Sequence, residues 1–211
     1  MSARTQPGLA TDTKIRVVGI SGSLREASFT TQALRIALEG AAETGAETKL
    51  LDLRDFQLEF ARGERVVSNP GVAELKREVK DAHGILLGTP EYHGSFSGVL
   101  KNALDLMGFE EFEGKMIGLI GVSAGRAGAF DALTALRNVG RALHAWVVPE
   151  QVAIPEAGRA FDEQGHLRDS RLEKRLRQVG SRVAEFARLH HGGRAQEFVE
   201  SWEGAMENPG G

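Results

Sequence analysis

The stretch Ile15-Arg16-Val17-Val18-Gly19-Ile20-Ser21-Gly22-Ser23-Leu24-Arg25-Glu26-Ala27-Ser28-Phe29-Thr30-Thr31 passes from a strand pattern, through a loop of small and hydroxyl residues, into a helix pattern. The β-branched run over 15–21 is long enough for a strand and too short for a buried helix. From Phe29 to about Gly45 the apolar positions Ala33, Leu34, Ala37, Leu38 and Ala41 recur at helical spacing. Between the two, the loop gathers Ser23, Ser28, Thr30 and Thr31 around a single arginine, Arg25. Amides at the start of a helix point outward without an internal partner, and the helix dipole adds partial positive charge. The stretch therefore suits a phosphate group. It has neither the Gly-Lys-Ser/Thr of a nucleotide P-loop nor the G-x-G-x-x-G of a dinucleotide fold. The plainer alternative is a turn that only caps its helix.

Outward from this unit the same alternation continues. Leu50, Leu51 and Leu53 mark a second strand, followed by a long connection from Arg54 to Pro70. Val72, Leu75, Val79 and Ala82 define an amphipathic helix, and Gly84-Ile85-Leu86-Leu87-Gly88 a continuous apolar strand. A loop follows, Thr89-Pro90-Glu91-Tyr92-His93-Gly94-Ser95, and then a helix over Val99–Met107 that Ser97 can cap. Met116–Val122 is a fourth strand, the glycine-bearing loop Ser123-Ala124-Gly125-Arg126-Ala127-Gly128 a third loop, and a helix runs from about Ala127 to Leu143. A fifth strand is broken into Trp146–Val148 and Val152–Ile154, and Leu172 to Leu189 is a charged amphipathic helix.

Alternating strands and helices imply a parallel sheet covered on both faces, because right-handed crossovers place the helices outside it. Strands that are apolar throughout fit that burial. The fold expected is α/β, a flavodoxin-like three-layer sandwich with a five-stranded parallel sheet of order 2-1-3-4-5. Its ligand crevice lies beyond the carboxyl ends of strands 1 and 3, where the winding reverses. The first two loops sit at those strand ends. In the second loop, Pro90 and Gly94 constrain the backbone and Tyr92 offers an aromatic face. His93 is a proton donor, a hydrogen-bond donor or a plain surface residue, and Glu91 either binds through its backbone or pairs with a neighbour.

At 211 residues the chain fits one α/β domain, expected over 14–190, with flexible tails at 1–13 and 192–211. The apolar fraction of 41%, charged fraction of 26% and net charge of -3 are ordinary, and give no reason to expect nucleic acid or an anionic membrane as partner. The chain has no cysteine, which excludes disulfides, thiolate catalysis and iron–sulfur ligation. No apolar run approaches the roughly 18 residues of a membrane span, and no signal-peptide pattern opens the chain. The expected location is the cytoplasm. His190 and His191 are adjacent and no H-E-x-x-H occurs, so no metal site is expected.

Gly22-Ser23-Leu24-Arg25 with Ser28, Pro90-Glu91-Tyr92, and Ser97-Gly98-Val99-Leu100-Lys101-Asn102-Ala103-Leu104-Asp105 together resemble the NAD(P)H-dependent FMN reductase family, from about Lys14 to His190. That family includes quinone, chromate and azo-dye reductases on a flavodoxin-like fold. The resemblance implies that Ser23, Leu24, Arg25, Ser28, Phe29 and Thr30 hold the FMN phosphate. It implies that Glu91, Tyr92, His93 and Gly94 run along the isoalloxazine edge and that Ser123 makes a third-loop contact. By their backbone geometry and placement, Pro90 and the third-loop residues Gly125 and Arg126 are expected to contact the ring as well. Many relatives carry Asn at the positions of His93 and Thr30. The resemblance also implies NADPH or NADH as hydride donor, a small-molecule acceptor (quinone, flavin, metal oxyanion or azo compound), and a homodimer or homotetramer. No catalytic side chain is expected, because the cofactor supplies the chemistry. Two other readings fit the fold: a flavodoxin-like electron carrier, and an interaction protein without FMN.

Overall fold

The computed structural model describes residues 14–62 and 69–191. The expected tails at 1–13 and 192–211, and Gly63 in the long connection, lie outside the described residues. Five parallel strands form the sheet: β1 (Arg16–Ser21), β2 (Glu47–Asp52), β3 (Gly84–Tyr92), β5 (Met116–Val122) and β6 (Trp146–Ile154). Their order is β2-β1-β3-β5-β6, and a short sixth strand, β4 (Ser95–Phe96), pairs antiparallel with β3. The expected parallel order is thus present, with one hairpin added.

The longer helices are α1 (Phe29–Ala42), α2 (Pro70–Lys80), α3 (Gly98–Asp105), α5 (Phe130–Ala142) and α7 (Ser170–His190). Two single turns, α4 (Phe109–Phe112) and α6 (Ala157–Ala160), have too few residues to show a period in the sequence. Helices α1 and α7 cover one face of the sheet through Val17, Leu34, Leu86, Val179 and Val183. Helices α2, α3 and α5 cover the other through Val18, Ile85, Leu100, Leu119 and Leu133. Central β5 is buried along its whole length, whereas edge strand β2 alternates at its start, as burial on two faces and on one face require.

Helices α1 and α7 cross with their backbones in contact. A Cβ at Gly180 would stand 1.7 Å from the Ala37 carbonyl oxygen, so only glycine permits this approach. The break expected in the last strand is a bulge: the register with β5 shifts between Ile117 and Leu119, opposite Val148-Pro149-Glu150. Pro149 has no N–H for the ladder, and an edge strand tolerates it there.

Two boundaries differ from expectation. Helix α5 begins at Phe130, three residues later than its periodicity suggests, because Gly128 has φ +77° and cannot continue a right-handed helix. The second loop is mostly strand: Pro90, Glu91 and Tyr92 continue β3, and Pro90 still pairs with Val122. Only His93 (φ 52°) and Gly94 (φ 73°) form the turn, with both residues left-handed as in a type I′ hairpin. That turn favours Asn-Gly, so His93 occupies a left-handed position that asparagine adopts more readily.

Candidate functional site

The carboxyl ends of β1, β3 and β5 bring the three expected loops to one edge of the sheet. In the first, Ser28 is the N-cap of α1 and its Oγ accepts from the Thr31 N–H at 3.2 Å. Its own hydroxyl proton remains available. Thr31 is otherwise occupied, since its Oγ1 shares a 2.8 Å hydrogen bond with Ser21 Oγ inside the protein. Ser23 and Thr30 are buried, while Leu24 and Arg25 are exposed. The Phe29 ring stacks on Phe161 at 5.0 Å and packs against the core, so Phe29 can offer the loop only its main-chain N–H.

Arg25 is the cation of this loop without an ion pair among the described residues. Nearby Arg54 is taken: it makes 2.9 and 2.6 Å hydrogen bonds to Asp52, and that bonding holds the Asp52 carboxyl below its usual range. The loop thus combines outward amides at Phe29 and Thr30, hydroxyls at Ser23, Ser28 and Thr30, and a free guanidinium. That donor set matches a phosphate dianion.

The first and second loops are joined by a network centred on Thr89 and on Ser97, the expected cap of the helix after the second loop. The Gly22 N–H donates to the Gly88 carbonyl at 2.8 Å, and Ser97 Oγ donates to the Gly22 carbonyl at 2.6 Å. Ser97 also caps α3, accepting from the Leu100 N–H at 3.1 Å. Its own N–H donates to Thr89 Oγ1 at 3.0 Å, whose hydroxyl donates to the Pro90 carbonyl. A Cβ at Gly22 would meet Leu100 Cβ at 2.8 Å and Ser97 Oγ at 2.9 Å, so the first loop is pressed against the start of α3. Further along α3, Asn102 grips the long connection. Its Nδ2 donates to the Glu59 carbonyl at 2.9 Å, and its Oδ1 accepts from the Ala61 N–H at 3.0 Å.

The third loop is knitted to the turn after β6. The Ser123 N–H donates to the Ile154 carbonyl at 2.9 Å, and the Ala157 N–H donates back to the Ser123 carbonyl at 3.0 Å. Glu156, left-handed at φ 43°, donates its N–H to the Gly125 carbonyl. The Glu156 carboxylate then takes Arg126 at 3.5 Å and Arg159 at 2.9 Å. Ser123 Oγ accepts from the Gly125 N–H at 3.0 Å, fixing the bend between them. Tyr92 and Phe130 stand exposed at this edge, on the second loop and at the start of α5.

All fourteen expected residues therefore lie on these three loops or on the ends of β3 and α1 that border them, although Phe29 turns its ring inward and the Arg126 side chain is 85% exposed. Among the described residues, no group of three His, Asp or Glu is placed to hold a metal ion, and no helix is long and apolar enough to cross a membrane.

Comparison with known proteins bears on the same region. The sequence profile of NADPH-dependent FMN reductases matches residues 15–159. The FMN-dependent NADPH-azoreductase of Staphylococcus aureus is 34% identical over 179 residues, covering 79% of this chain and 92% of that protein. Among solved structures, the FerB NAD(P)H:(acceptor) oxidoreductase of Paracoccus denitrificans superposes with a TM-score of 0.64 at 26% identity, over 83% of this chain and 98% of that one. An archaeal flavodoxin superposes at 0.57 with 13% identity, over 82% of this chain and 99% of that one, which is a likeness of fold alone.

Proposed function

This chain belongs to the NADPH-dependent FMN reductase family and is an FMN-dependent oxidoreductase, and from that premise we propose which residues hold the cofactor and how the substrates use the site. Residues 14–190 form the flavin-binding unit. The phosphate lies in the first loop, on the amides of Phe29 and Thr30, the hydroxyls of Ser23, Ser28 and Thr30, and the Arg25 guanidinium, with Leu24 at its outer wall. The ring lies along Pro90, Glu91, Tyr92, His93 and Gly94, with Ser123, Gly125 and Arg126 beyond it. Bound FMN supplies the redox chemistry, taking hydride from NAD(P)H and giving electrons to an acceptor. The protein binds and orients it and controls access.

The acceptor is a small oxidant: a quinone, a free flavin, a metal oxyanion or an azo compound, the last favoured by the azoreductase relative. Donor and acceptor take turns in one crevice, in a ping-pong cycle. The enzyme works in the cytoplasm as a homodimer or homotetramer. The carrier and interaction readings give way, because the matching family and relative are reductases.

The observation that carries this assignment is the first loop, whose free donors exceed what capping α1 needs. Its test is a comparison of FMN with riboflavin by fluorescence titration. Charge-assisted hydrogen bonds are worth roughly 1.5–3 kcal/mol each, so riboflavin binds at least about tenfold more weakly. Equal affinities would remove the phosphate from this loop.

A further inference from the structure

Four of the five long helices are capped at their start by their own N-cap side chain: Ser28, Asn69, Ser97 and Asp169. Helix α5 is the exception. Its N-cap is Ala129, which has no side-chain hydrogen bond to give. The orphan amide of Ala132, third residue of the helix, is satisfied from elsewhere: it donates to Glu91 Oε2 at 3.0 Å, across 41 residues of sequence. Glu91 stands next to last in β3, is half-buried, and pairs with Phe96 across the hairpin. A second approach accompanies it, since the Asp131 carboxylate lies 3.8 Å from where a Cβ of Gly94 would stand.

We propose that Glu91 is a positioning residue that locks the second loop to the third by capping α5 from β3, so that both walls of the ring pocket are held at one separation. The first residue of the third loop is already tied to β6 through Ser123, and the Glu91 carboxylate secures the other end, at the entry to α5. A serine at position 129 would satisfy the amide locally and leave the two loops independent. A carboxylate on β3 satisfies the same amide and couples them. The sequence alone leaves open whether Glu91 binds through its backbone or pairs with a neighbour, and the geometry gives its side chain to α5.

This rests on the flavin reading of the site, and the experiment separates the two. In the apoprotein, hydrogen–deuterium exchange at the start of α5 accelerates by about tenfold in Glu91→Ala and stays near the parent rate in Glu91→Gln, whose amide oxygen can still accept. Titrations then follow FMN and riboflavin. Glu91→Ala weakens both ligands by the same factor, about tenfold, because the defect lies on the ring side; Glu91→Gln stays within about threefold of the parent. Glu91→Met, with the same reach and no strong acceptor, takes the place of Glu91→Ala if that variant does not fold. Unchanged exchange and affinity in Glu91→Ala, or failure of Glu91→Gln to rescue, overturns the proposal. A parent protein that binds no FMN overturns the flavin reading instead, while the exchange measurement still decides the role of Glu91.

Discussion

Ser28 and Arg25 lie three residues apart in the first loop and answer to different partners. Ser28 is buried and committed to the start of α1, so its loss costs the helix a cap worth about 1 kcal/mol as well as the proposed phosphate donor. Arg25 is exposed and pairs with no carboxylate among the described residues, so its removal touches no folded-state interaction of its side chain. Arg25→Ala is therefore expected to weaken FMN roughly 10- to 100-fold, one charge-assisted contact, while the urea midpoint stays within error of the parent. It should also erode the preference for FMN over riboflavin, because the proposed contact of Arg25 is to the phosphate. An Arg25→Ala protein that holds FMN as tightly as the parent would reduce the cradle to hydroxyls and amides.

The amino edge of the sheet, opposite the site, carries a charge problem built from several elements. His83, at the entry to β3, and His191, just past α7, meet edge to face at 4.8 Å, with His190 at 5.5 Å from His191. Lys115, entering β5, is buried with its Nζ on the carbonyls of Val79 and Lys80, and burial pulls its pKa down to about 8. Burial, then the positive neighbours His83, His190 and Lys115, push His191 down to about 4, and its Nε2 is buried without a hydrogen-bond partner among the described residues. His83 and His190 shift the same way, chiefly through burial. A histidine whose folded pKa lies below its unfolded value of 6.5 binds fewer protons when folded. Stability is therefore lost as pH falls from about 6.5 towards about 4. Melting temperatures from pH 7.5 downward should fall through that window, less steeply in His191→Gln; identical slopes would clear His191 of the effect. At this scale the sequence reads well where period and composition suffice. The parallel strands, the Ser97 cap and the three loops follow from apolar runs and hydroxyl spacing. The β3–β4 hairpin does not, because its two-residue strand is too short to alternate and its turn carries His93 where asparagine gives the signal. The capping of α5 by Glu91 is silent for another reason: helix-start signals are local, and this one comes from 41 residues away.

For the molecule as a whole, the question is how two substrates reach one cofactor. The sheet closes the crevice from below, α1 and α7 cover one face, and α2, α3 and α5 cover the other. The first loop is pinned to α3 through Gly22 and Ser97, and the third is tied to the turn after β6, so both boundaries of the crevice are fixed by hydrogen bonds. Among the described residues, Tyr92, Phe130 and the arginines held by Glu156 stand exposed at this edge. In the proposed cycle the nicotinamide and the acceptor use the same flavin face in turn. Initial rates with NADPH and a soluble quinone or azo dye should then give parallel double-reciprocal lines, the signature of a ping-pong cycle. Each half-reaction should also proceed alone: NADPH bleaches the flavin absorbance without oxygen, and the acceptor added afterwards restores it. Intersecting lines would require both substrates bound together and would overturn the proposed cycle. A flavin that NADPH leaves coloured would place the donor outside this crevice altogether.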